Sequence, residues 1–303
     1  QRSNLTPILV LIQKAIKAEH AKQSASMFLR LHPADRADVF ELLEEEEQKQ
    51  LLRQLDISNI ADLFDELEDH DAVAPAESLP MERLADVLDK MDPDEAADLL
   101  GDISQEKATL ILSEMEEPED VLPLLSYPDD TAGGRMTTAF IDLQPDTSVE
   151  KAIEYLRYVG HENDVPFYLF VVDQAKKLVG VTNMRSLVLN DPDVPIEQIM
   201  NRDVIHISAW EDQEKAARMM THYDLTALPV LNENDRMLGV ITHDDILDVL
   251  EAETTEDIYR LSSVADTDLA PESATSEQLK GRLPWLLLNT ATALFASWVI
   301  SNF

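Results

Sequence analysis

The sequence predicts a multi-domain protein of the α and α+β classes. An acidic helical-repeat domain, or solenoid, comes first, a tandem β-α-β-β-α module follows, and a connecting helix leads to the start of a transmembrane helix. Three observations predict this order. They are an Ala-Asp pair that recurs at intervals of 24, 24 and 12 residues, two similar β-rich stretches in the second half, and an uncharged C-terminal run.

The repeat domain occupies residues 31–130, after an apolar-periodic segment in residues 1–30 that predicts an N-terminal helix and a candidate docking element. A unit of about twelve residues is long enough for one helix and a turn, and stacked units of this kind bury a continuous apolar stripe. The handedness of the solenoid stays open. The repeated pair falls at Ala37-Asp38, Ala61-Asp62, Ala85-Asp86 and Ala97-Asp98.

Capping residues support the helix starts within the repeats. Ser58, Asp92 and Ser104 are each of a type that accepts hydrogen bonds from the free N–H groups of a first helical turn, and Pro93 follows Asp92 at a position where proline is favoured. The repeat is hardly visible in residues 71–79.

The second half repeats a layout of about sixty residues, in which an amphipathic helix precedes a pair of apolar strands. Neither small sheet can bury both of its faces alone, so we expect the two copies to pack on each other. The predicted helices are Val149–Val159 and Asp212–Tyr223, and the predicted strands are Tyr168–Val172, Leu178–Thr182, Leu228–Leu231 and Met237–Thr242.

Composition limits the possible partners. The chain has 60 acidic and 24 basic residues and a formal net charge of −36. Nucleic acids and anionic lipids attract Lys and Arg, so this charge excludes a general affinity for either and favours cations. The acids concentrate in residues 32–130, which contain 31 acidic residues and only 6 Lys or Arg. The absence of cysteine excludes disulfides and thiolate metal sites and suits a cytosolic setting.

No motif predicts an enzyme. The 7 histidines have no HxxxH or HExxH spacing, so a zinc site is not predicted. Gly133-Gly134 lacks the Gly-Lys-Thr ending of a phosphate loop, and no serine lies in a nucleophile-elbow sequence.

The run Leu283–Phe303 contains no charged residue and has the length of a membrane span. Lys280 and Arg282 precede it, so the positive-inside rule places residues 1–282 in the cytoplasm. A buried core helix is the alternative. Because the chain begins at Gln1 and ends inside this run, we expect a fragment of a longer protein.

Two sequence segments point to a known family. Pro229 before a strand and the Gly-h-h-Thr-x-x-Asp stretch at Gly239–Asp245 resemble a tandem CBS (Bateman) module. The segment YPDDTAGGRMTTAFIDL at Tyr127–Leu143 and the later LDVLEAETTEDI, together with the order of the domains, look like MgtE-family magnesium transporters. The resemblance covers nearly the whole chain. It divides the chain into an N-terminal helix (1–30), an N domain (31–130), CBS 1 (131–195), CBS 2 (196–257), a connecting or plug helix (258–282) and a first transmembrane helix (283–303).

Members of that family are homodimeric channels or transporters whose cytosolic domain senses Mg²⁺ and closes the pore. The resemblance therefore implies a Mg²⁺-sensing and gating region of a multi-pass protein in the cell (inner) membrane. It also implies self-association through the CBS module and the membrane domain, and contact with the lipid bilayer through the C-terminal helix; the charge of the chain predicts no nucleic-acid partner. The Mg²⁺ ligands that it implies are Asp62, Asp94, Asp98, Gly134 (through its carbonyl), Glu214, Asp224, Asp245, Asp248, Glu253, Glu256 and Asp257.

ATP is a second cofactor that the resemblance raises. Some relatives bind it in the cleft of the module, and the matching positions here are Tyr168, Arg185, Thr242 and Asp245. The sequence departs from the pattern at Asn183, Ser186 and Leu225, where a hydroxyl residue, a ribose-binding Asp and an aromatic ring are usual. The alternative function is a nucleotide-sensing CBS module of another membrane transport protein.

Physical chemistry supports the cation hypothesis independently. Mg²⁺ prefers oxygen ligands and keeps several waters, so one or two carboxylates from each of two domains are enough. On a helix Asp94 and Asp98 share a face, as do Asp245 and Asp248. Facing carboxylates repel until a cation bridges them. The alternative is that these acids form an ordinary solvated surface.

Overall fold

The computed structural model describes residues 5–18, 20–67, 69–159, 168–247 and 249–250, with four isolated residues beyond them. Helices fill the first part, and two small sheets with their helices fill the second. Within these ranges no helix is both long and apolar enough to cross a membrane. The predicted connecting helix, and all of the predicted transmembrane helix except Thr290, Thr292 and Trp298, lie outside the described residues.

The solenoid has a strict 24-residue register. Helices α3, α5, α7 and α9 begin 24 residues apart, and so do α2, α4, α6 and α8. Contacts follow the same rule, since α3 packs on α5, α5 on α7 and α7 on α9, while α4 packs on α6 and α6 on α8. The bounds are α1 Thr6–Lys17, α2 Ala21–Phe28, α3 Pro33–Glu41, α4 Glu45–Leu52, α5 Ile57–Phe64, α6 Asp69–Glu77, α7 Met81–Leu88, α8 Pro93–Asp102, α9 Gln105–Glu114 and α10 Pro118–Val121.

The predicted twelve-residue unit is thus one helix and a turn, and two such units make one layer of the stack. The alanine of each Ala-Asp pair is buried between helices. Its small side chain lets the neighbouring helices approach closely. The stretch where the repeat is hardly visible forms α6, which contains Pro75. Helices α1 and α2 pack on each other and on α4.

Two arginines close the ends of these helices. Arg36 donates to the carbonyl oxygens of Leu31 and Leu29 at the end of α2, at 3.1 and 3.0 Å. Arg83 donates in the same way to Leu52 and Leu55 after α4, at 3.1 and 2.6 Å. Arginine from a later helix therefore caps the unsatisfied carbonyls of an earlier one.

The residues predicted as caps, Asp92 and Ser104, occupy the N-cap positions of α8 and α9, but neither side chain makes the expected capping hydrogen bond. The prediction at Ser58 is wrong. Helix α5 begins at Ile57, and Asp56 is its cap, with its carboxylate accepting the backbone N–H of Asn59 at 2.9 Å. A carboxylate two residues upstream therefore takes the place that the hydroxyl was expected to fill.

Each copy of the module contains a three-stranded sheet in which a short parallel strand adds to an antiparallel pair. The order is β1-β2-β3 in the first copy and β4-β5-β6 in the second. The strands are β1 Asp142–Leu143, β2 Tyr168–Val172, β3 Leu178–Asn183, β4 Ile207–Ser208, β5 Ala227–Leu231 and β6 Met237–Thr242. The helices are α11 Val149–Val159, α12 Met184–Leu189 and α13 Gln213–Tyr223. The strands and helices that the sequence predicted match these within one residue.

The two copies exchange backbone pairing. Thr137, which precedes β1 of the first copy, pairs with Val240 on β6 of the second, with N–O distances of 2.8 and 3.0 Å. Asn201, which precedes β4 of the second copy, pairs with Val181 on β3 of the first at 2.8 and 2.9 Å. Each copy therefore extends the sheet of the other.

One apolar core connects the solenoid to the second copy. A single cluster of buried side chains continues from the repeats through Leu124 and Met136 to Leu228, Ile241 and Ile246. The first copy has its own cluster, and a third lies between the two sheets. The helical domain is therefore seated on the second copy, and that contact positions the site described next.

Candidate functional site

The acidic residues of the solenoid meet the module where α8 approaches the segment after residue 130 and the end of β6. Thr138 Oγ1 donates to the carbonyl oxygen of Asp120 at 2.8 Å across this boundary. The carboxylates of Asp94 and Asp98 lie on α8, and Asp245 lies in the helical turn that follows β6. The structure thus brings three of the predicted metal ligands to one interface.

Asp94 lies in the first turn of α8, and its Oδ1 is buried without a hydrogen-bond partner among the described residues. Burial, the largest cause, and the nearby Asp245 and Asp92 carboxylates together raise the pKa of this carboxyl to about 7, although a hydrogen bond from Thr137 opposes the rise. An unsatisfied buried oxygen costs free energy. A cation at this point would remove that cost and the repulsion together.

Asp245 faces Asp94 from the module side. Its Oδ2 accepts the backbone N–H of Thr242 at 3.1 Å and the hydroxyl of the same residue at 2.6 Å. Thr242 is the last residue of β6, so a rigid strand end orients the carboxylate. Asp245 and Asp94 are close enough for the negative charge of Asp245 to raise the pKa of Asp94.

A second acidic group lies beside the first on the solenoid. Burial, with smaller contributions from the Asp92, Asp62 and Asp94 carboxylates, raises the pKa of Asp65 to about 8, although the hydrogen bond from the Asp92 N–H opposes the rise. The candidate Asp62 is itself exposed on α5. Neither Asp65 nor Asp92 was predicted as a site residue. The signal that could have found Asp65 is the 24-residue interval between Asp65 and Asp89, which occupy equivalent helix ends.

Asp98 has a basic partner across the interface. Arg135 Nη1 lies 3.5 Å from Asp98 Oδ2, and Arg135 was not predicted to take part. The preceding residue, Gly134, lies in a tight turn. A side chain would not fit there, since a Cβ at this position would be 2.3 Å from the Pro128 carbonyl oxygen. Its N–H donates to the carbonyl oxygen of Thr131 at 3.0 Å.

The two predicted ligands at the ends of α13 have structural roles in the second copy. Glu214 forms an ion pair with Arg218 one turn along the same helix. Asp224 caps the C-terminal end of α13 in the left-handed conformation, with φ 54°. The predicted ligands Asp248, Glu253, Glu256 and Asp257 lie outside the described residues. Over the ranges that the structure describes, no three His or acidic side chains converge as a metal-binding group.

The residues predicted to hold a nucleotide lie at the strand ends of both copies. Tyr168 begins β2 opposite Asn183, and Arg185 is exposed on α12. The Asn183 side chain accepts the N–H of Ser186 at 2.9 Å and caps α12. In the second copy the corresponding positions are occupied by Thr242, which matches Asn183, and by Asp245, which matches Ser186. Leu225 packs against the apolar core, so it does not supply the aromatic ring that the resemblance requires at that position.

Comparisons with known proteins agree with this architecture. The profile of the MgtE intracellular N domain matches residues 31–130, and that of the CBS domain matches residues 132–191 and 196–252. The magnesium transporter MgtE of Thermus thermophilus is 37% identical over 185 residues, which are 61% of this chain. The matched part spans 41% of that relative.

Two solved structures share the fold over most of the chain. The soluble part of a magnesium transporter superimposes with a TM-score of 0.74 and 31% identity, covering 82% of this chain and 99% of the other. The cytosolic domain of the Mg²⁺ channel MgtE in complex with ATP gives a TM-score of 0.74 and 28% identity, covering 80% and 99%. Both structures are parts of magnesium transport proteins. The chain belongs to the MgtE family, and it contains that family's intracellular N domain followed by a pair of CBS domains.

Proposed function

We propose that this chain is the Mg²⁺-sensing and gating region of a magnesium channel or transporter. One observation carries the proposal, namely the buried Asp94 Oδ1 that has no hydrogen-bond partner among the described residues and that faces Asp245 across a domain boundary. An oxygen in that position is suited to a cation that joins the two domains.

The chemistry of the donors fits Mg²⁺. This small, hard ion takes oxygen ligands and retains water, so it needs only one or two carboxylates from protein. Asp94 and Asp245 supply one carboxylate from each domain. Three of the other residues that the family resemblance implies, Asp62, Gly134 and Asp248, are proposed as contributors to neighbouring sites.

Gating follows from the difference in ion affinity between two arrangements of the domains. Without the ion, the facing carboxylates repel and favour separation of the solenoid from the module. An ion that binds only the closed arrangement stabilises it by RT ln(1 + [L]/Kd) for each site. Because the chain beyond residue 250 continues towards the predicted membrane helix at 283–303, closure would be transmitted to the pore and would favour its closed state.

We also propose that the module forms a homodimer. Exposed apolar side chains lie on both of its copies, including Tyr158 at 81%, Val188 at 75% and Tyr223 at 51% of full exposure. Exposed apolar side chains of this size mark a protein contact when they form one patch. We also propose that the full protein lies in the cell membrane and contacts lipid through residues 283–303.

Small-angle X-ray scattering of this chain in rising MgCl₂, with KCl matched for ionic strength, tests the sensing function. We expect the radius of gyration to fall at millimolar Mg²⁺ and to stay constant in KCl. Asp94→Ala combined with Asp245→Ala should abolish the change. The matched control, Asp86→Ala with Asp203→Ala, removes two exposed carboxylates elsewhere and should compact normally. Equal compaction in KCl would refute the proposal.

Nucleotide sensing is the second candidate, because a similar domain has been solved with ATP. Asp245 would then serve both ligands, which predicts that bound Mg²⁺ changes the affinity for ATP. Calorimetric titration of the chain with ATP, in the presence and absence of Mg²⁺, measures this linkage. No heat of binding in either condition would remove the candidate.

A further inference from the structure

Two carboxylates on the same face of α8 have opposite electrostatic surroundings. The pKa of Asp94 is raised by burial and by neighbouring carboxylates. Asp98, one turn further along, instead lies 3.5 Å from the guanidinium of Arg135. Within the described part of the chain, acidic groups therefore dominate the field at the first position, while the second has a positive charge beside it.

The module holds Arg135 in place. Its Nε donates to Gln213 Oε1 on α13 at 3.1 Å, and its backbone N–H donates to the carbonyl oxygen of Thr131 at 3.1 Å. The preceding residues are fixed as well, since the N–H groups of residues 132 and 133 bond to the carbonyls of residues 211 and 209 at 2.7 and 2.8 Å. Arg135 therefore belongs structurally to the second copy and reaches out to the solenoid.

The ion pair is partly shielded from water. The side chain of Arg135 is 33% exposed and that of Asp98 18%. Partial burial reduces solvent screening, so this pair is stronger than a fully exposed pair would be at the same distance. Arginine is also charged at every physiological pH, so the contact needs no ion from solution.

We propose that Arg135 is a tethered cation that closes the interface at Asp98 in place of a divalent ion. This inference rests on the proposed Mg²⁺-dependent closure and assigns different counter-charges to different carboxylates of the interface. Asp98 is satisfied by the protein itself, and the requirement for Mg²⁺ lies with Asp94 and Asp245. Arg135 thereby sets the Mg²⁺ concentration at which the domains close.

The experiment measures the distance between the two domains directly. The chain has no cysteine, so cysteines introduced at the exposed Ser113 and Asn234 can be labelled selectively for spin–spin distance measurements during a Mg²⁺ titration. We expect Arg135→Gln to raise the Mg²⁺ midpoint of closure by about two- to fivefold, the factor for losing one such ion pair. The transition should also become steeper, because the Asp98 carboxylate can then take part in binding an ion.

The matched control is Lys107→Gln. This change also removes one positive charge and one ion pair, with Glu77 at 2.7 Å, but that pair lies within the solenoid. We expect its midpoint and steepness to equal those of the unmodified chain. Arg135→Lys keeps the charge and should lie between the unmodified chain and Arg135→Gln, and circular dichroism establishes that each variant is folded.

The charge swap Arg135→Asp with Asp98→Arg separates the inference from its alternative. A tethered ion pair is restored by the swap, so the midpoint and steepness should return to those of the unmodified chain. If Asp98 binds Mg²⁺ instead, the swap leaves closure weaker and less steep, which overturns the inference. A midpoint for Arg135→Gln equal to or below that of the unmodified chain overturns the inference but leaves the proposed function standing. A distance that never responds to Mg²⁺ in the unmodified chain overturns both.

Discussion

The carboxylate of Asp65 accepts a hydrogen bond from the backbone N–H of Asp92, with 3.3 Å between Oδ1 and N, although the two residues are 27 positions apart and both are acidic. Asp89 repeats the contact one layer further along, with its two oxygens accepting the N–H groups of Glu116 and Glu117 at 2.8 and 3.2 Å. Carboxylates at the ends of α5 and α7 thus satisfy backbone donors that precede α8 and α10. The solenoid uses its acidity for structure as well as for charge.

Asp65 should make the stability of the fold depend on pH. Its pKa rises from 3.8 in an unfolded chain to about 8 in the folded one. The folded state therefore binds more protons between these values, and stability falls as pH rises from about 4 to 8. Asp65→Asn should recover about 1–3 kcal/mol at a pH of about 8.5 relative to a pH of about 5. Thermal unfolding across that range, with the exposed Asp86→Asn as control, measures the difference; parallel curves for all three proteins would contradict it.

Thr182 should be replaceable with a gain in stability. Its hydroxyl is buried in the first copy without a hydrogen-bond partner among the described residues, and the second copy has Ile241 at the matching strand position. Thr182→Val should stabilise the chain by about 1 kcal/mol in urea unfolding, because an unsatisfied hydroxyl is removed at nearly constant volume. Thr137→Val is the control with the opposite sign, since that buried hydroxyl accepts the N–H of Ala139 at 3.3 Å. A loss of stability in both variants would contradict the prediction.

Gly239 should not tolerate a methyl group. A Cβ there would lie 2.5 Å from the carbonyl oxygen of Thr137, in the backbone pairing that joins the two copies. Gly239→Ala should destabilise the chain by about 1–3 kcal/mol. Gly101→Ala places the same methyl group on α8 with no atom within 4 Å, and it should stabilise by about 0.5–1 kcal/mol. Chemical unfolding of both variants decides the matter, and changes of equal sign would show that the close approach is unimportant.

Glu47 should hold the N-terminal helix in place. It is buried, it accepts a hydrogen bond from Gln13 at 3.2 Å, and Lys17 lies 3.1 Å from it. Glu47→Ala should cost about 1–3 kcal/mol and should speed hydrogen exchange in α1 more than in α8. Glu46→Ala removes an exposed neighbour and should change neither quantity. Equal rates of hydrogen exchange in α1 for the two variants would show that Glu47 does not hold this helix in place.

Local patterns predicted the elements well because each depends on nearby residues. Short apolar runs located β2 and β6 to the residue, and the Ala-Asp interval predicted a register that every helix from α2 to α9 obeys. The exchanged pairing of Thr137 with Val240 and of Asn201 with Val181 was not predicted. These partners lie 103 and 20 residues apart, and no sequence pattern relates residues at such distances.

The candidate site was predictable in part. The family resemblance named Asp94 and Asp245, which the structure brings together. It did not name Arg135, whose partner is 37 residues away in another domain. A single basic residue beside two glycines also gives no signal of its own, and only the folded arrangement shows that it faces Asp98.

The exchanged pairing between the two copies has a consequence for how this half of the protein can be divided. Gly180 lies against the carbonyl of Asn201, as Gly239 lies against that of Thr137. Cutting the chain between the copies would leave each half with an uncovered sheet edge, which is a template for aggregation. The pair is therefore a single unit of folding, and a gene rearrangement that duplicates or loses one half alone should yield an insoluble product.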